Sequence, residues 1–207
     1  MQQQNWHRTD INVANALKVN LKDYILSDPY RNGEHNLYMP DKGGIWTIAP
    51  ENIFTHDFIQ YLFHDLNLQI DLVQIFYRSP HYQHPGAHVD ISQNEELYGC
   101  GLNWTIDEDD ADMVWYSMPD ADPQRTQRST TDINYEWPLE QLTEVDRCCI
   151  GQTATLVRTD IPHTVEMQSK ERWLVSTRFK WHVTWDDYMS SFNRRILIDG
   201  LKELGTT

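Results

Sequence analysis

Leu72-Val73-Gln74-Ile75-Phe76-Tyr77 is where the chain changes its period. Before it, from Pro50 onward, Phe54, Phe58, Tyr61, Leu62 and Leu66 recur at three- and four-residue spacing. That spacing predicts an amphipathic helix laid against a sheet. After it, apolar residues alternate or run in short blocks rich in Val, Ile, Thr, Tyr and Trp, which suit a pleated surface. Strands are expected at Leu72–Tyr77, Ala87–Ile91, Tyr98–Ile106, Met113–Met118, Thr153–Arg158, Pro162–Met167 and Trp173–Trp185, with Gly, Pro, Asp or Asn turns between most of them. Short strands at that density predict a mainly-β fold: a sandwich, jelly roll or barrel.

Outward from this block the signals weaken. Asp10 to Leu26 mixes strand and helix patterns. Pro119 to Arg147 carries few core-forming residues, so it is expected to be irregular, either a lid or an ordinary surface loop. Beyond Trp185, Tyr188, Phe192, Ile196, Leu197 and Leu201 return to helical spacing. There is no internal repeat. The expectation is one domain over 1–207, with a barrel core at about 72–185 and a C-terminal helix at about 186–204.

With 207 residues the chain can bury a sizeable core without cross-links. Its 17 Lys and Arg stand against 31 Asp and Glu, a net charge of −14. Such a surface argues against nucleic acid, whose phosphates need clustered positive charge, and against an anionic membrane. No apolar run approaches the ~18 residues of a spanning helix. The start, Met1-Gln2-Gln3-Gln4-Asn5-Trp6-His7-Arg8, lacks the apolar region of a signal peptide. Cys100, Cys148 and Cys149 are an odd set with two adjacent members, which predicts reduced thiols and a cytoplasmic location.

The sharpest chemical feature is His88-Val89-Asp90. On a strand, residues two apart share a face, so imidazole and carboxylate converge. His163, on a later strand, is a candidate third ligand. Two imidazoles and a carboxylate on one side of an ion leave positions open opposite, the ligand set of non-haem Fe(II) oxygenases. Arg172 and Arg178 follow His163 by 9 and 15 residues and share strand parity. An arginine pointing into a barrel is an uncompensated charge unless it meets a carboxylate. The distal carboxylate of 2-oxoglutarate would serve; so would a neighbouring acid. His81 and His84 sit in a Pro- and Gly-rich turn, and fit a solvated loop, a share in the pocket, or a separate zinc site. The acidic run Asp107 to Asp112 lacks the Gly and terminal Glu of a calcium loop and reads as a hairpin turn.

These motifs resemble those of the Fe(II)/2-oxoglutarate-dependent oxygenase superfamily: HxD, a distant His, then Arg on the following strand. The likeness runs from about Leu72 to Trp181. Gly101-Leu102-Asn103-Trp104-Thr105-Ile106, Met113-Val114-Trp115-Tyr116 and Leu156-Val157-Arg158-Thr159-Asp160-Ile161-Pro162-His163 look like small free-standing members from marine bacteria and phages, related to the prolyl- and aspartyl/asparaginyl-hydroxylase branches. The resemblance implies a double-stranded β-helix (a cupin-like jelly roll) with flanking helices. It implies His88, Asp90 and His163 as iron ligands and Arg172 as the 2-oxoglutarate anchor, with Arg178 as second choice. It implies Asn103 as a polar strand residue reaching the cosubstrate, with Tyr77 and Arg78 as comparable candidates. The family's Arg-x-Ser pair is missing, because Arg172 is followed by Trp173-Leu174. The implied reaction is hydroxylation of a C–H bond of a small molecule or peptide side chain. The alternative is a non-catalytic cupin-like binding module.

Overall fold

The computed structural model describes residues 4–26, 37–39, 41–82, 86–91, 97–108, 111–118, 120, 122–127, 133–166, 169–180 and 184–190. The chain runs β1 (Trp6–Arg8), α1 (Leu21–Leu26), β2 (Leu37–Met39), β3 (Gly43–Ile48), α2 (Pro50–Ile53) and α3 (His56–Gln60), which continues into a π-turn at Tyr61–Asp65. Then come β4 (Ile70–Arg78), β5 (Gly86–Val89), β6 (Cys100–Thr105), β7 (Asp112–Tyr116), β8 (Gln124–Gln127) and β9 (Ile133–Pro138). A 3-10 turn at Leu139–Gln141 leads to β10 (Glu144–Cys149), β11 (Thr155–Arg158), β12 (His163–Val165) and β13 (Arg172–Phe179). Residues 185–190 are helical.

Two antiparallel sheets result, ordered β1-β11-β6-β13-β4-β3-β2 and β10-β7-β12-β5-β9-β8. Their centres are β11-β6-β13-β4 and β10-β7-β12-β5: the chain alternates between the sheets through β4, β5, β6 and β7, then returns through β10 beside β7, β11 beside β6, β12 between β7 and β5, and β13 between β6 and β4. That winding is a jelly roll of the double-stranded β-helix type, as the sequence leads one to expect.

Strand parity divides the larger sheet's two faces. Trp46, Val73, Ile75, Leu102, Trp104, Trp173, Val175 and Phe179 point to the helical side. There they meet Phe54, Phe58, Leu62 and Leu66 from the α2–α3 segment, together with Trp185 and Tyr188 from 185–190. Trp46 stacks on Trp173 with centroids 5.7 Å apart. The other face looks into the sandwich, where a smaller apolar cluster forms around Met113, Trp115, Ile150, Val157 and Leu174.

The helix expected from Pro50 to Leu66 is interrupted. Thr55 is extended and caps α3, its hydroxyl accepting from the Phe58 N–H at 3.3 Å. The periodic apolar stripe survives because both pieces lie on one sheet. The expected strand Trp173–Trp185 ends at Phe179, and 185–190 is helix; the rest of the expected C-terminal helix lies outside the described residues. The stretch from Pro119 to Arg147 also departs from expectation. It holds β8, β9, the 3-10 turn and most of β10, and β9 extends the smaller sheet beside β5, with Glu136 opposite His88. These strands form by edge pairing, which polar residues such as Gln124-Arg125-Thr126-Gln127 satisfy without an apolar alternation.

Candidate metal centre

His88 on β5 and His163 on β12 are direct cross-strand partners, with ring centroids 4.7 Å apart. Asp90 follows the end of β5 and is locked through its backbone: its N–H donates to Thr159 O at 3.0 Å, and its carbonyl accepts the Tyr98 N–H at 3.0 Å. The Asp90 Oδ1 atom stands 3.6 Å from His88 Nε2 and 3.7 Å from His163 Nε2. One donor atom from each of the three residues lies within 4.8 Å of the others. Donors bonded at about 2.1 Å to one ion sit roughly 3–3.5 Å apart, so a small side-chain movement closes this set on a metal.

The second imidazole is prepared for that task. His163 is buried, and its Nδ1 lies 3.0 Å from the Ile161 carbonyl. The pairing requires the proton on Nδ1, which leaves the Nε2 lone pair facing Asp90. Burial lowers the imidazole's pKa, opposed by the attraction of Asp90. A neutral ring is the form that ligates.

The other carboxylate oxygen, Asp90 Oδ2, is ion-paired with Arg178 Nη2. Arg178 is only 4% exposed. Its Nη1 donates to Asn103 Oδ1 at 3.3 Å and to Ser176 Oγ, while the Ser176 hydroxyl donates to Asn103 Oδ1 at 2.7 Å. Asn103 and Ser176 are register partners across β6 and β13. Gly101, the register partner of Arg178, makes room: a Cβ there would overlap Arg178 Nη1.

The trio opens into a cavity of about 180 Å³. Ile45, Phe76, Met113 and Leu174 form its apolar wall, and Lys42, Arg78 and Arg172 its basic part. Arg172 is 5% exposed and stands opposite Arg78 across β13 and β4. Arg78 Nη1 donates to the Val165 carbonyl at 2.6 Å.

The structure therefore brings His88, Asp90, His163, Asn103, Arg78, Arg172 and Arg178 to one cavity. Tyr77 also borders the cavity, but its ring packs on Trp173 with centroids 4.9 Å apart, on the helical side of the sheet. His81 is an exposed turn residue with φ 62°, and the metal-competent group among the described residues does not include it. His84 lies outside the described residues. In the acidic run, Asp107 pairs with Lys22, Glu108 with Lys170 and Asp112 with Arg147, as expected of a solvated turn. Gly101, Ser176 and Lys42 are site residues that the sequence reading passed over. The legible signal was parity: Gly101 shares the Asn103 face, and Ser176 lies between Leu174 and Arg178 on theirs.

No protein-family model matches the chain, and no curated protein matches it. Among solved structures, the X-ray structure of E. coli ycfD aligns with a TM-score of 0.41 and 13% identity over 84% of this chain. The alignment spans 42% of the ycfD chain. A Pseudomonas putida prolyl-4-hydroxylase aligns with a TM-score of 0.39 and 12% identity, over 85% of this chain and 92% of that one.

Proposed function

We propose that the protein is an Fe(II)- and 2-oxoglutarate-dependent oxygenase that hydroxylates a C–H bond of a small molecule or peptide side chain. The observation that carries this reading is the cross-strand pair His88 and His163 with one Asp90 oxygen 3.6 and 3.7 Å from their Nε2 atoms, at one wall of a cavity that also holds Arg172. Two neutral imidazoles and a carboxylate suit Fe(II) and leave coordination positions open toward the cavity. Iron bound there with 2-oxoglutarate would supply oxygen activation, one O₂ oxygen going to the substrate and the other to succinate, with release of CO₂.

The chain's own residues divide the remaining work. The Ile161 carbonyl holds His163 in its ligating tautomer. Arg178 holds Asp90 by one oxygen and so aims the other at the imidazoles; Asn103 and Ser176 fix Arg178 in turn. Arg178 is thereby a positioning residue and not the cosubstrate anchor, and Asn103 acts through it. Arg172, six residues earlier on the same face and roughly 20 Å back along the strand, takes the distal carboxylate of 2-oxoglutarate in its planar fork. Ile45, Phe76, Met113 and Leu174 keep water from the bound molecules.

Anaerobic loading with Fe(II) and an assay for succinate release from 2-oxoglutarate test the reading. Binding of the ion with measurable succinate supports it; neither one would leave a cupin-like binding module. Arg172→Lys keeps the charge and loses the fork. Charge-assisted bonds contribute about 1.5–3 kcal/mol each, so 2-oxoglutarate affinity should fall roughly ten- to a hundredfold with iron affinity kept. A larger loss in Arg178→Lys, with iron still bound, would make Arg178 the anchor.

A further inference from the structure

The three proposed ligands are not held alike. His88 lies on β5 and His163 on β12, and strand pairing sets the two opposite one another. Asp90 stands past the end of β5, so its backbone has no strand ladder to fix it. It is caught instead in a ring of three hydrogen bonds. The Asp90 N–H donates to the Thr159 carbonyl at 3.0 Å, and the Thr159 hydroxyl donates to the Tyr98 carbonyl at 2.7 Å. The Tyr98 N–H closes the ring by donating to the Asp90 carbonyl at 3.0 Å. Thr159 is fully buried and Tyr98 is 4% exposed.

Tyr98 is fixed in turn at its far end. Its hydroxyl donates to Asp71 Oδ2 at 2.6 Å, and Lys180 Nζ donates to Asp71 Oδ1 at 3.2 Å. Asp71 is available because β4 carries one residue more than its partner. Arg178 on β13 pairs with Leu72 and Phe179 with Ile70, which leaves Asp71 bulged between them. A bulge breaks the alternation of a strand and re-aims a side chain. This one falls beside Arg178, whose guanidinium holds Asp90 Oδ2. The bulge therefore supports Asp90 at two points: at its carboxylate through Arg178, and at its main chain through Asp71 and Tyr98. A phenylalanine at 98 would fill the same space. What the hydroxyl adds is a fixed attitude for a residue whose backbone holds a ligand.

On the metal reading of the site, on which this inference rests, that support has a purpose. We infer that Tyr98 and Asp71 are positioning residues of the metal centre. The bulged Asp71 anchors the phenol, and the phenol holds the Thr159–Tyr98–Asp90 ring so that the Asp90 carboxylate meets His88 and His163. Neither residue belongs to the metal-competent group or lines the cavity, so each acts only through Asp90.

The test titrates the full metal-free chain with Co(II), which neighbours Fe(II) in the affinity order of such sites and whose visible absorption reports ligand geometry. Urea unfolding of the metal-free protein runs alongside. Tyr98→Phe should bind Co(II) about tenfold more weakly and with an altered spectrum, the lower end of the effect of outer partners of ligands. Asp71→Ala should do the same. The double variant should bind no more weakly than either single one, because both remove one link. Asp71→Asn keeps an acceptor for the phenol and should return most of the affinity. A merely structural role gives another pattern: lower stability with the Co(II) affinity and spectrum of the folded protein unchanged, and that result overturns the inference. Losses of affinity that add in the double variant also overturn it, as does Asp71→Asn binding as weakly as Asp71→Ala. If Asp71→Ala fails to fold, the comparison of Tyr98→Phe with Asp71→Asn decides, since both keep the shape of the native side chain. Failure of the metal reading looks different: the wild type itself binds no Co(II), and the positioning role falls with it.

Discussion

The two faces of β13 are made by alternate residues of one strand and follow opposite chemistry. Trp173, Val175, Thr177 and Phe179 face the helices; Arg172, Leu174, Ser176 and Arg178 face the sandwich. All eight residues of the strand are buried. On the first face burial is favourable by itself, because the groups removed from water are mostly apolar. On the second it is favourable only while each charge keeps its partner. One face carries stability, and the other is stability given up for a site. That difference makes the effects of substitution on the two faces separable.

The largest expected effect is at Asp90, where both functions meet. On the proposed metal reading Asp90→Ala removes a ligand, and it strands buried Arg178. Metal affinity should fall by well over ~100-fold, since even the outer partners of ligands are worth ~10–100-fold. The metal-free protein should also lose roughly 3–5 kcal/mol, the penalty for breaking one side of a buried ion pair. His88→Ala should lose the metal equally while leaving Arg178 paired, so its metal-free stability should fall far less. Metal content and urea unfolding of both variants check the contrast; equal destabilisation would mean that the Arg178–Asp90 pair contributes nothing special to the apo fold.

On the opposite face, Trp46→Ala should cost about 3–5 kcal/mol by opening a cavity beside Trp173. Below the unfolding transition the remaining folded protein should bind metal with unchanged affinity. A parallel loss of metal affinity would show that the helical face also sets the site's geometry, and the division between faces would fail.

Gly101→Ala is a smaller perturbation aimed at the inner face alone. The new Cβ would collide with Arg178 Nη1 and lies 3.2 Å from Thr177 O, so Arg178 must shift from Asn103 and Asp90. Overpacking of this kind costs about 1–3 kcal/mol. Metal affinity should drop with it, because Asp90 loses the contact that aims its carboxylate. Urea unfolding together with metal titration checks this, and a variant of normal metal affinity would remove Arg178 from its positioning role.

Much of this contrast is legible in the sequence, because parity is a local property. The shared face of Arg172 and Arg178, and the inward Asn103 beside outward Trp104, follow from a period of two. Partners are not local. That Arg178 meets Asp90 depends on β6, β13 and the end of β5 coming together, and on a missing side chain at Gly101. The strands not legible in the sequence, β1 to β3 and β8 to β10, precede the pattern-bearing block or interrupt it between β7 and β11. Gln124-Arg125-Thr126-Gln127 carry little apolar alternation, because the edge strand β8 is held by backbone pairing more than by burial, and β3 opens on Gly43-Gly44, which offer no side chain to read. The break at Phe54-Thr55 was invisible for the reverse reason: the apolar stripe continues across a backbone that does not.

The smallest expected effect is for a cation outside both faces. Arg147 on β10 is 45% exposed and bonds Glu144 at 2.7 Å, with Asp112 and Glu166 at 3.2 Å. It has more acidic partners than Arg178, yet water screens all of them. Exposed pairs contribute about 0.2–1 kcal/mol, so Arg147→Ala should shift the urea midpoint only slightly. The sign of the pH dependence follows from Glu144, whose pKa is lowered chiefly by its hydrogen bond from Arg147. A depressed carboxylate stabilises the folded state above its unfolded pKa, and that contribution is lost as the pH falls through the folded pKa. The gap between wild type and Arg147→Ala should therefore be present near neutral pH and close as the pH falls through the acid range below the ordinary glutamate pKa, and about 1 M salt should narrow it. A gap that persists under both conditions would mean that Arg147 acts by packing its aliphatic stem on the sheet, and charge would then matter only on the inner face.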